Sequence, residues 1–383
     1  MLKGSCFAAL LAFAPSAALA DSAFRAGLAQ IPAEAYEEAS SFPLPIYLAD
    51  PRALAELSGG DLAAQGIRMR AFFPIGAGFW EVWRQTGAEA WRATTGTDLK
   101  DLTFVAVMGQ PPAVVSVLGM ESPEAVQGVL ARLAERTEFE PVEGLEGALI
   151  NGEPMKQDFA RRDPADPWRG SLGQAVAVGG KGAALIHASA PEAIRFLRGV
   201  ERSALETPIL ATALAGLESV AGEGEALQAS PFTPVLGLES GFDPAEILLR
   251  ARPGQDMAAL RAEIEARMAE TTRGVPPYFG GLLADAQIQG RPALVVALAY
   301  PDCGTAQAAA EASAGLWRAE LPEPAAEVSA SHVEGVEGVE GLCAAVILGL
   351  GEAREDLANP LASAALQRIM RGQGLPMLRI GAP

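Results

Sequence analysis

Apolar residues recur along this chain with two different periods, and the alternation of these periods predicts mixed α and β structure. Short β-branched runs between Gly, Pro or Asp are typical of strands, and Ala-rich stretches with apolar residues at helical spacing are typical of helices. In the first half of the chain, the pattern predicts helices at 123–136 and 191–198. The predicted strands of that half lie at 102–108, 113–119, 147–150, 174–178 and 183–187. Paired strands interleaved with helices favour an α+β fold with an antiparallel sheet covered by helices on one face.

The same succession of patterns occurs twice, which predicts a tandem duplication. Each copy has a Phe-Pro strand leading into a helix, a strand–turn–helix unit, a stretch with V-E-G triplets, and a Leu-x-x-Pro helix. The matched pairs are 42–57 with 232–250, 109–136 with 289–321, 141–150 with 332–348, and 204–217 with 356–369. Asp before Pro, as at Asp50 and Asp243, suits a helix N-cap followed by the first helical residue. We therefore predict two related α+β modules, at 21–230 and 231–383.

The first copy carries an insert, "NGEPMKQDFARRDPADPWRGS" at 151–171, that the second lacks. Its polar, Pro-rich composition predicts a surface loop, with Asp163 and Asp166 as solvated charges. Two carboxylates three residues apart do not make a calcium loop. The "VGGKGA" stretch at 178–183 predicts a hairpin turn, since it lacks the first Gly and the Ser or Thr of a phosphate-binding loop.

The N-terminus has the pattern of a secretory signal peptide. Lys3 precedes a short apolar run, and small residues end at Ala20, where cleavage would leave 363 residues. The remaining chain has 28 Lys and Arg against 47 Asp and Glu, a net charge of −19, which opposes binding to nucleic acid or to anionic lipid surfaces. No later apolar stretch is long enough to span a membrane. We therefore expect a periplasmic protein without a transmembrane segment in its mature chain.

Cys303 and Cys343 remain after cleavage, and an even pair in an oxidising compartment predicts a disulfide. Two alternatives stay open for Cys303. It begins a predicted helix, where a thiol pKa is lowered, so it could be an unpaired or even a catalytic cysteine.

Sequence motifs of catalysis, cofactor binding and metal binding are otherwise missing, so we predict no catalytic, cofactor or metal residues. The mature chain has two histidines, His187 and His332, and neither lies in a metal-binding motif. His187 ends an apolar strand and is interpreted as structural. There is no Gly-x-Ser-x-Gly nucleophile elbow.

A cluster of aromatic residues offers one candidate contact surface. Phe79, Trp80, Trp83 and Trp91 lie close in sequence, and Trp80 and Trp83 share a helix face if this stretch is helical. Packing in the core is one interpretation. The other is an aromatic wall for an apolar ligand or partner.

The first copy also resembles a known family. Gly96, Asp98 and Asp101-Leu102 precede a strand, and Ser122-Pro123 stands where the family has Asp-Pro before a helix. With the later Ala-Ser-x-Pro-Glu-Ala segment, this pattern is similar to an uncharacterised family of exported bacterial proteins, one of the domain-of-unknown-function families. The resemblance implies export and repeated α+β modules, and it implies no active site.

Three hypotheses for function follow. The first is a non-enzymatic binding or envelope-interaction module for an unknown protein partner. The second is a periplasmic carrier of an apolar small molecule or lipid held between sheet and helices. The third is an enzyme that uses Asp and Glu residues which no motif reveals.

Overall fold

The computed structural model describes most of the chain after the predicted signal peptide. The described residues are 22–38, 46–61, 65–70, 89, 91–109, 113–164, 166–170, 172–221, 224–239, 274–321, 327–334, 339 and 341–381.

Twelve strands form one antiparallel sheet, in the order β11-β12-β10-β9-β8-β1-β2-β3-β7-β6-β5-β4. The strands are β1 (Ile46–Ala49), β2 (Phe104–Met108), β3 (Val115–Gly119), β4 (Glu140–Pro141), β5 (Ala148–Ile150), β6 (Ala177–Lys181), β7 (Ala184–Ala188), β8 (Gly224–Phe232), β9 (Gly280–Ile288), β10 (Arg291–Tyr300), β11 (Glu327–Glu334) and β12 (Cys343–Leu350).

Helices lie against both faces of this sheet. The helices are α1 (Ala23–Leu28), α2 (Glu34–Glu37), α3 (Pro51–Leu57), α4 (Gln65–Arg70), α5 (Pro123–Ala134), α6 (Pro191–Arg198), α7 (Pro208–Ala221), α8 (Val235–Glu239), α9 (Cys303–Glu320) and α10 (Pro360–Met370). No described helix combines the length and the hydropathy needed to cross a membrane.

The α+β prediction is confirmed, but the prediction of helices on one face differs from the structure. Side chains of α3, α4, α5, α8, α9 and α10 join one apolar cluster, which we call the α9 face. Side chains of α1, α2, α6 and α7 join a second cluster, the α7 face. The reason is visible in β10, where Leu294 and Val296 point to the α9 face while Ala293 and Val295 point to the α7 face. Both sets are apolar, so both faces must be covered.

Helix starts follow the predicted cap chemistry. The Asp50 carboxylate accepts hydrogen bonds from the backbone N–H groups of Arg52 and Ala53, at 2.9 and 3.0 Å, and Pro51 occupies the first turn of α3. Asn359 caps α10 in the same way, ahead of Pro360. These side chains satisfy N–H groups that the helix itself cannot. The second predicted Asp-Pro start, at Asp243, lies outside the described residues.

The two halves of the sheet join where β1 pairs with β8. Leu48 stands opposite Ala229, and Ala49 opposite Gln228. The predicted module boundary after residue 230 falls inside β8, which pairs with β9 from Gly224 onward. The sheet therefore runs through the boundary without interruption, and its second half begins at Gly224.

Candidate functional site

The predicted disulfide is present. Cys303, the first residue of α9, is bonded to Cys343, the first residue of β12, and their Cα atoms are 5.0 Å apart. The pairing removes the two alternatives for Cys303, an unpaired or a catalytic thiol. Its effect is to tie the start of a helix on the α9 face to the strand beneath it.

Trp91 belongs to the core, which agrees with the first of the two interpretations of the aromatic cluster. It is buried, and its ring centroid lies 5.8 Å from that of Trp168. Its indole N–H donates to the Thr97 hydroxyl at 3.2 Å. Phe79, Trp80 and Trp83 lie outside the described residues, so a contact surface there stays a prediction.

The insert is anchored in the core, which the sequence did not suggest. Trp168 is fully buried, and the Asn151 amide donates to its carbonyl at 2.6 Å. Asp166 is also buried and pairs with Arg136, so it is not the solvated charge that was predicted. The run of Pro and charged residues conceals this, because a single Trp among polar, Pro and Gly residues gives no periodic signal. The insert is therefore a packed loop of defined shape.

His187 lies beside this anchor. Its ring centroid is 5.8 Å from that of Trp168. Loss of solvent around the ring lowers the pKa of His187 to about 4. The side chain is thus neutral near pH 7, as expected of the structural histidine that we predicted.

A buried ion pair, surrounded by further polar side chains, lies at the centre of the sheet in the described part of the chain. Arg70, from α4, places Nη1 3.2 Å from Oδ1 of Asp285 in β9, and both side chains are almost fully buried. The Asn359 amide donates to the same Oδ1 at 2.6 Å, and Gln228 donates to Oδ2 at 3.0 Å. Tyr47 donates to the Gln228 side chain at 2.7 Å. We call these five residues the central polar cluster.

Burial raises the pKa of Asp285, while Arg70, Asn359 and Gln228 act in the opposite direction. Burial lowers the pKa of Arg70. A carboxyl with a raised pKa is what a general acid needs, but such a group must reach its substrate. Asp285 is fully buried, and both of its oxygens are occupied by partners within the protein. The central polar cluster therefore joins β1, β8, β9, α4 and the start of α10, and it offers no accessible reactive group.

Two cavities among the described residues open to the surface, and charged side chains line part of each. The larger, of about 250 Å³, lies where β1 ends and β8 begins, and it includes Asp50, Glu56, Glu218 and Glu225. Burial raises the pKa of Glu225, and the charges of Glu56 and Asp50 raise it further. The smaller, of about 190 Å³, lies over the insert. Phe24 and Leu217 also line the larger cavity, but the charged side chains in both linings count against an apolar ligand. Within the described chain, no group of three or more His, Cys, Asp or Glu side chains could hold a metal ion.

The two edges of the sheet are very different. The edge strand β4 has two residues, and one of them is Pro141, which has no N–H to donate. The opposite edge strand, β11, has eight residues, and most of its side chains are exposed. Proteins usually shorten, cover or charge an edge, because its unpaired backbone groups accept other strands. Among the described residues, no strand pairs with the outer side of β11.

The hydrogen-bond pattern determines which backbone groups of β11 point outward. Gly351 donates to the Pro292 carbonyl at 2.8 Å, which extends the ladder between β10 and β12 by one pair. Bonded and non-bonded pairs alternate in an antiparallel ladder. Odd-numbered residues of β12 therefore bond β10, and even-numbered ones such as Leu348 bond β11. The partner of Leu348 is Ser329, so the odd-numbered residues of β11 face inward.

The even-numbered residues of β11 thus present their N–H and C=O groups to the outside. One of these groups already has a partner, since Arg318 Nη2 donates to the Val328 carbonyl at 2.6 Å. Ala330, His332 and Glu334 continue the outward row. The side chains at the middle of the strand, Ser329 to Ser331, are small, so a second backbone can approach closely.

Comparison with known proteins adds little. No family model matches the chain, and no curated protein matches it. The chain is similar to TP0453 in its crystal form III, with 12% identity, a TM-score of 0.35, and coverage of 85% of this chain and 99% of that one. Similarity at this level carries no functional argument. The resemblance to an exported domain-of-unknown-function family stays a prediction.

Proposed function

We propose that this protein is an exported, non-enzymatic binding protein that holds an extended segment of a partner protein along β11. The observation that carries this proposal is the contrast between the edges, a two-residue strand with Pro141 at one end and an exposed eight-residue strand at the other. Strand addition obtains affinity from main-chain hydrogen bonds, and it needs neither a cavity nor a reactive group.

Export to the periplasm is part of the proposal. The predicted signal peptide is its main support. The bond between Cys303 and Cys343 is compatible with an oxidising compartment, where structural disulfides persist. A net charge far from zero suits a protein that stays dissolved at high concentration.

We further propose that the two halves of the sheet derive from one duplicated unit. In each half an initial strand, β1 or β8, pairs with a hairpin, and the second hairpin strand pairs with a later strand, β7 or β12. A helix on the α9 face, α5 or α9, follows each hairpin. The V-E-G stretches differ in position, however, because 142–147 joins β4 to β5, whereas the second stretch joins β11 to β12. The duplicated unit would therefore have gained the hairpin β4–β5 in its first copy.

The carrier and enzyme hypotheses have less support. A carrier needs an apolar cavity, and beneath the described sheet both faces are filled by side chains such as Leu294 and Val295 that are about 1% exposed. An enzyme needs an accessible reactive group, and Asp285, whose pKa is raised by burial, is enclosed.

Site-specific photo-crosslinking in the native host tests the proposal. A photoreactive phenylalanine at Ser331 should give a covalent adduct with a partner, and the same residue at Glu143, near the β4 edge, should not. Ala330→Pro removes one outward N–H, which an edge strand tolerates, and should abolish the adduct while the melting temperature changes little. An adduct that survives Ala330→Pro, or that forms equally at Glu143, would contradict strand addition at β11.

A further inference from the structure

We propose that the segment which adds to β11 is cationic, with Lys or Arg side chains that face the glutamates around this edge. This inference rests on the proposed function and names the chemistry of the partner.

The sequence around β11 has a single sign of charge. Between Arg318 and Arg354 there are seven Glu and no Asp, Lys or Arg. Two of these glutamates have partners from elsewhere in the chain, since Glu327 pairs with Arg291 at 2.9 Å and Glu320 pairs with Arg379 at 2.5 Å. Glu334 has no ion-pair partner among the described residues, so its charge is open to a cation from outside.

Glu334 is the best placed of these glutamates. It is exposed, ends β11, and lies in the outward-facing set. Glu337 and Glu340 follow it in the V-E-G triplets and lie outside the described residues. A cation on an added strand would meet Glu334 across the new ladder, where opposite charges stabilise the pair.

The same charges oppose a second copy of this chain as the occupant. If two β11 strands paired antiparallel about their centre, outward-facing residues would stand opposite one another, so Glu334 of each chain would lie opposite Val328 and one residue away from Glu327 of the other chain. Exposed like charges at this short range repel each other. Each chain also carries a net charge of −18. A heterologous cationic strand avoids both penalties.

Because the side chains at the middle of β11 are small, we infer that the charge of the partner strand, and not the shape of its side chains, determines specificity. Ser329, Ala330 and Ser331 form no pocket for a large apolar anchor. Main-chain bonds would be available to any extended peptide, so discrimination must come from the residues at the ends of the strand. Electrostatic complementarity supplies such specificity and speeds association.

Fluorescence anisotropy with three labelled peptides tests this inference on the purified full chain. The peptides are acetyl-Lys-Val-Thr-Val-Thr-Val-Thr-Lys-amide and its variants with Gln or Glu at both ends. We expect the Lys peptide to bind at least fivefold more tightly than the Glu peptide at low salt, with a smaller ratio in 0.5 M NaCl because salt screens exposed charges. Ala330→Pro should abolish binding, and Glu334→Lys should remove the preference for Lys. Glu192→Lys, on the exposed side of α6, should change nothing.

The outcomes separate this inference from the proposed function. Equal binding of all three peptides, abolished by Ala330→Pro, would leave strand addition in place and overturn the cationic partner. Binding of the Lys peptide that ignores Ala330→Pro would show nonspecific attraction to an acidic protein and overturn the inference. Absence of binding by the Lys peptide would do the same. Sedimentation that shows a dimer, lost in Ala330→Pro, would identify a second copy as the occupant.

Discussion

Replacement of Arg70 by Met tests the role assigned to the central polar cluster. Met keeps much of the volume of the Arg stem and removes its charge. The change leaves Asp285 fully buried without its cation. It also removes the donor of the wild-type hydrogen bond from Arg70 Nη2 to the Gln287 side chain, which is 2.7 Å long. The Leu357 carbonyl also loses the hydrogen bond from Arg70 Nε.

The expected cost is large. Removing one partner of a buried ion pair typically destabilises a protein by about 3–5 kcal/mol, because the other charge stays buried and unpaired. That is a large part of a typical total of about 5–15 kcal/mol. The side chains of Arg70 and Asp285 are 1% and 0% exposed, so water cannot replace the lost partner without opening the sheet.

The loss in unfolding free energy caused by Arg70→Met should also depend on pH. Burial already raises the pKa of Asp285, and loss of Arg70 removes an interaction that lowers it. A carboxyl whose pKa is higher in the folded state binds its proton more tightly there, so stability falls as pH rises above about 3.9, the unfolded value, and through the folded pKa. The Arg70→Met variant should therefore recover stability as the pH is lowered from 7.5 to 5.

Urea unfolding at both pH values measures the effect. Arg70→Met with Asp285→Asn removes both charges and should recover at least half of the loss. Arg52→Met, which breaks the exposed pair with Glu121, is the matched control and should barely move the midpoint. A loss below about 1 kcal/mol for Arg70→Met, or a loss that does not change with pH, would refute the argument that this charge pair holds the sheet together.

Three further changes give clear expectations. Replacing Cys303 and Cys343 by Ala should destabilise the protein by about 4 kcal/mol in the chain-entropy model, measured by urea unfolding against the same protein in its oxidised form. Asp166→Ala should cost about 2–3 kcal/mol because it leaves a buried donor unpaired, whereas exposed Glu143→Ala should cost almost nothing; equal effects would contradict the packed insert. His187 alone should lower wild-type stability by at most about 3 kcal/mol as pH drops from 6.5 to about 4, since folding excludes its protonated form, and His187→Gln should show a correspondingly smaller dependence of stability on pH in urea unfolding.

Local features of this fold could be predicted because short stretches of sequence determine them. Asp50 caps α3 and the strand at 183–187 is nearly the observed β7, since capping and alternation involve neighbouring residues. The cysteine pair could be predicted from number and compartment alone. Its partners are far apart in sequence, but with two cysteines there is one possible pairing.

The covering of both faces also has a signal in the sequence, in strand β10. β10 is apolar at nearly every position, and such a run indicates a strand buried on both sides, where alternation would indicate one solvated face. The Ala residues on its α7 face leave room for close helix approach. Gly216 of α7 lies there, where an added Cβ would come within 2.8 Å of Ala344.

The central polar cluster and the buried insert could not be predicted, for a physical reason. Arg70 and Asp285 are 215 residues apart. The sequence pattern around one charged residue in an apolar strand does not reveal whether a distant residue of opposite charge pairs with it. The close packing at Gly66 could not be predicted from the sequence either. This glycine lies one helical turn before Arg70, and an added Cβ would overlap the Asp356 carbonyl. Only the folded chain brings these groups together, because tertiary contacts and not local propensity select them.

In this interpretation, the disulfide helps to hold the edge strand β11 in a conformation that is ready to bind a partner strand. Cys343 stands opposite Glu334 in the ladder, so the bond to Cys303 secures β12 to α9 at the very position where β11 ends. Arg318, also on α9, holds the other end of β11 through the Val328 carbonyl. An edge strand that is held at one end, and whose neighbouring strand is secured at the other, loses little further entropy when a partner strand adds to it, and such preorganisation increases affinity without new contacts. The covalent bond therefore lies one strand in from the edge, where it holds the strand on which β11 pairs.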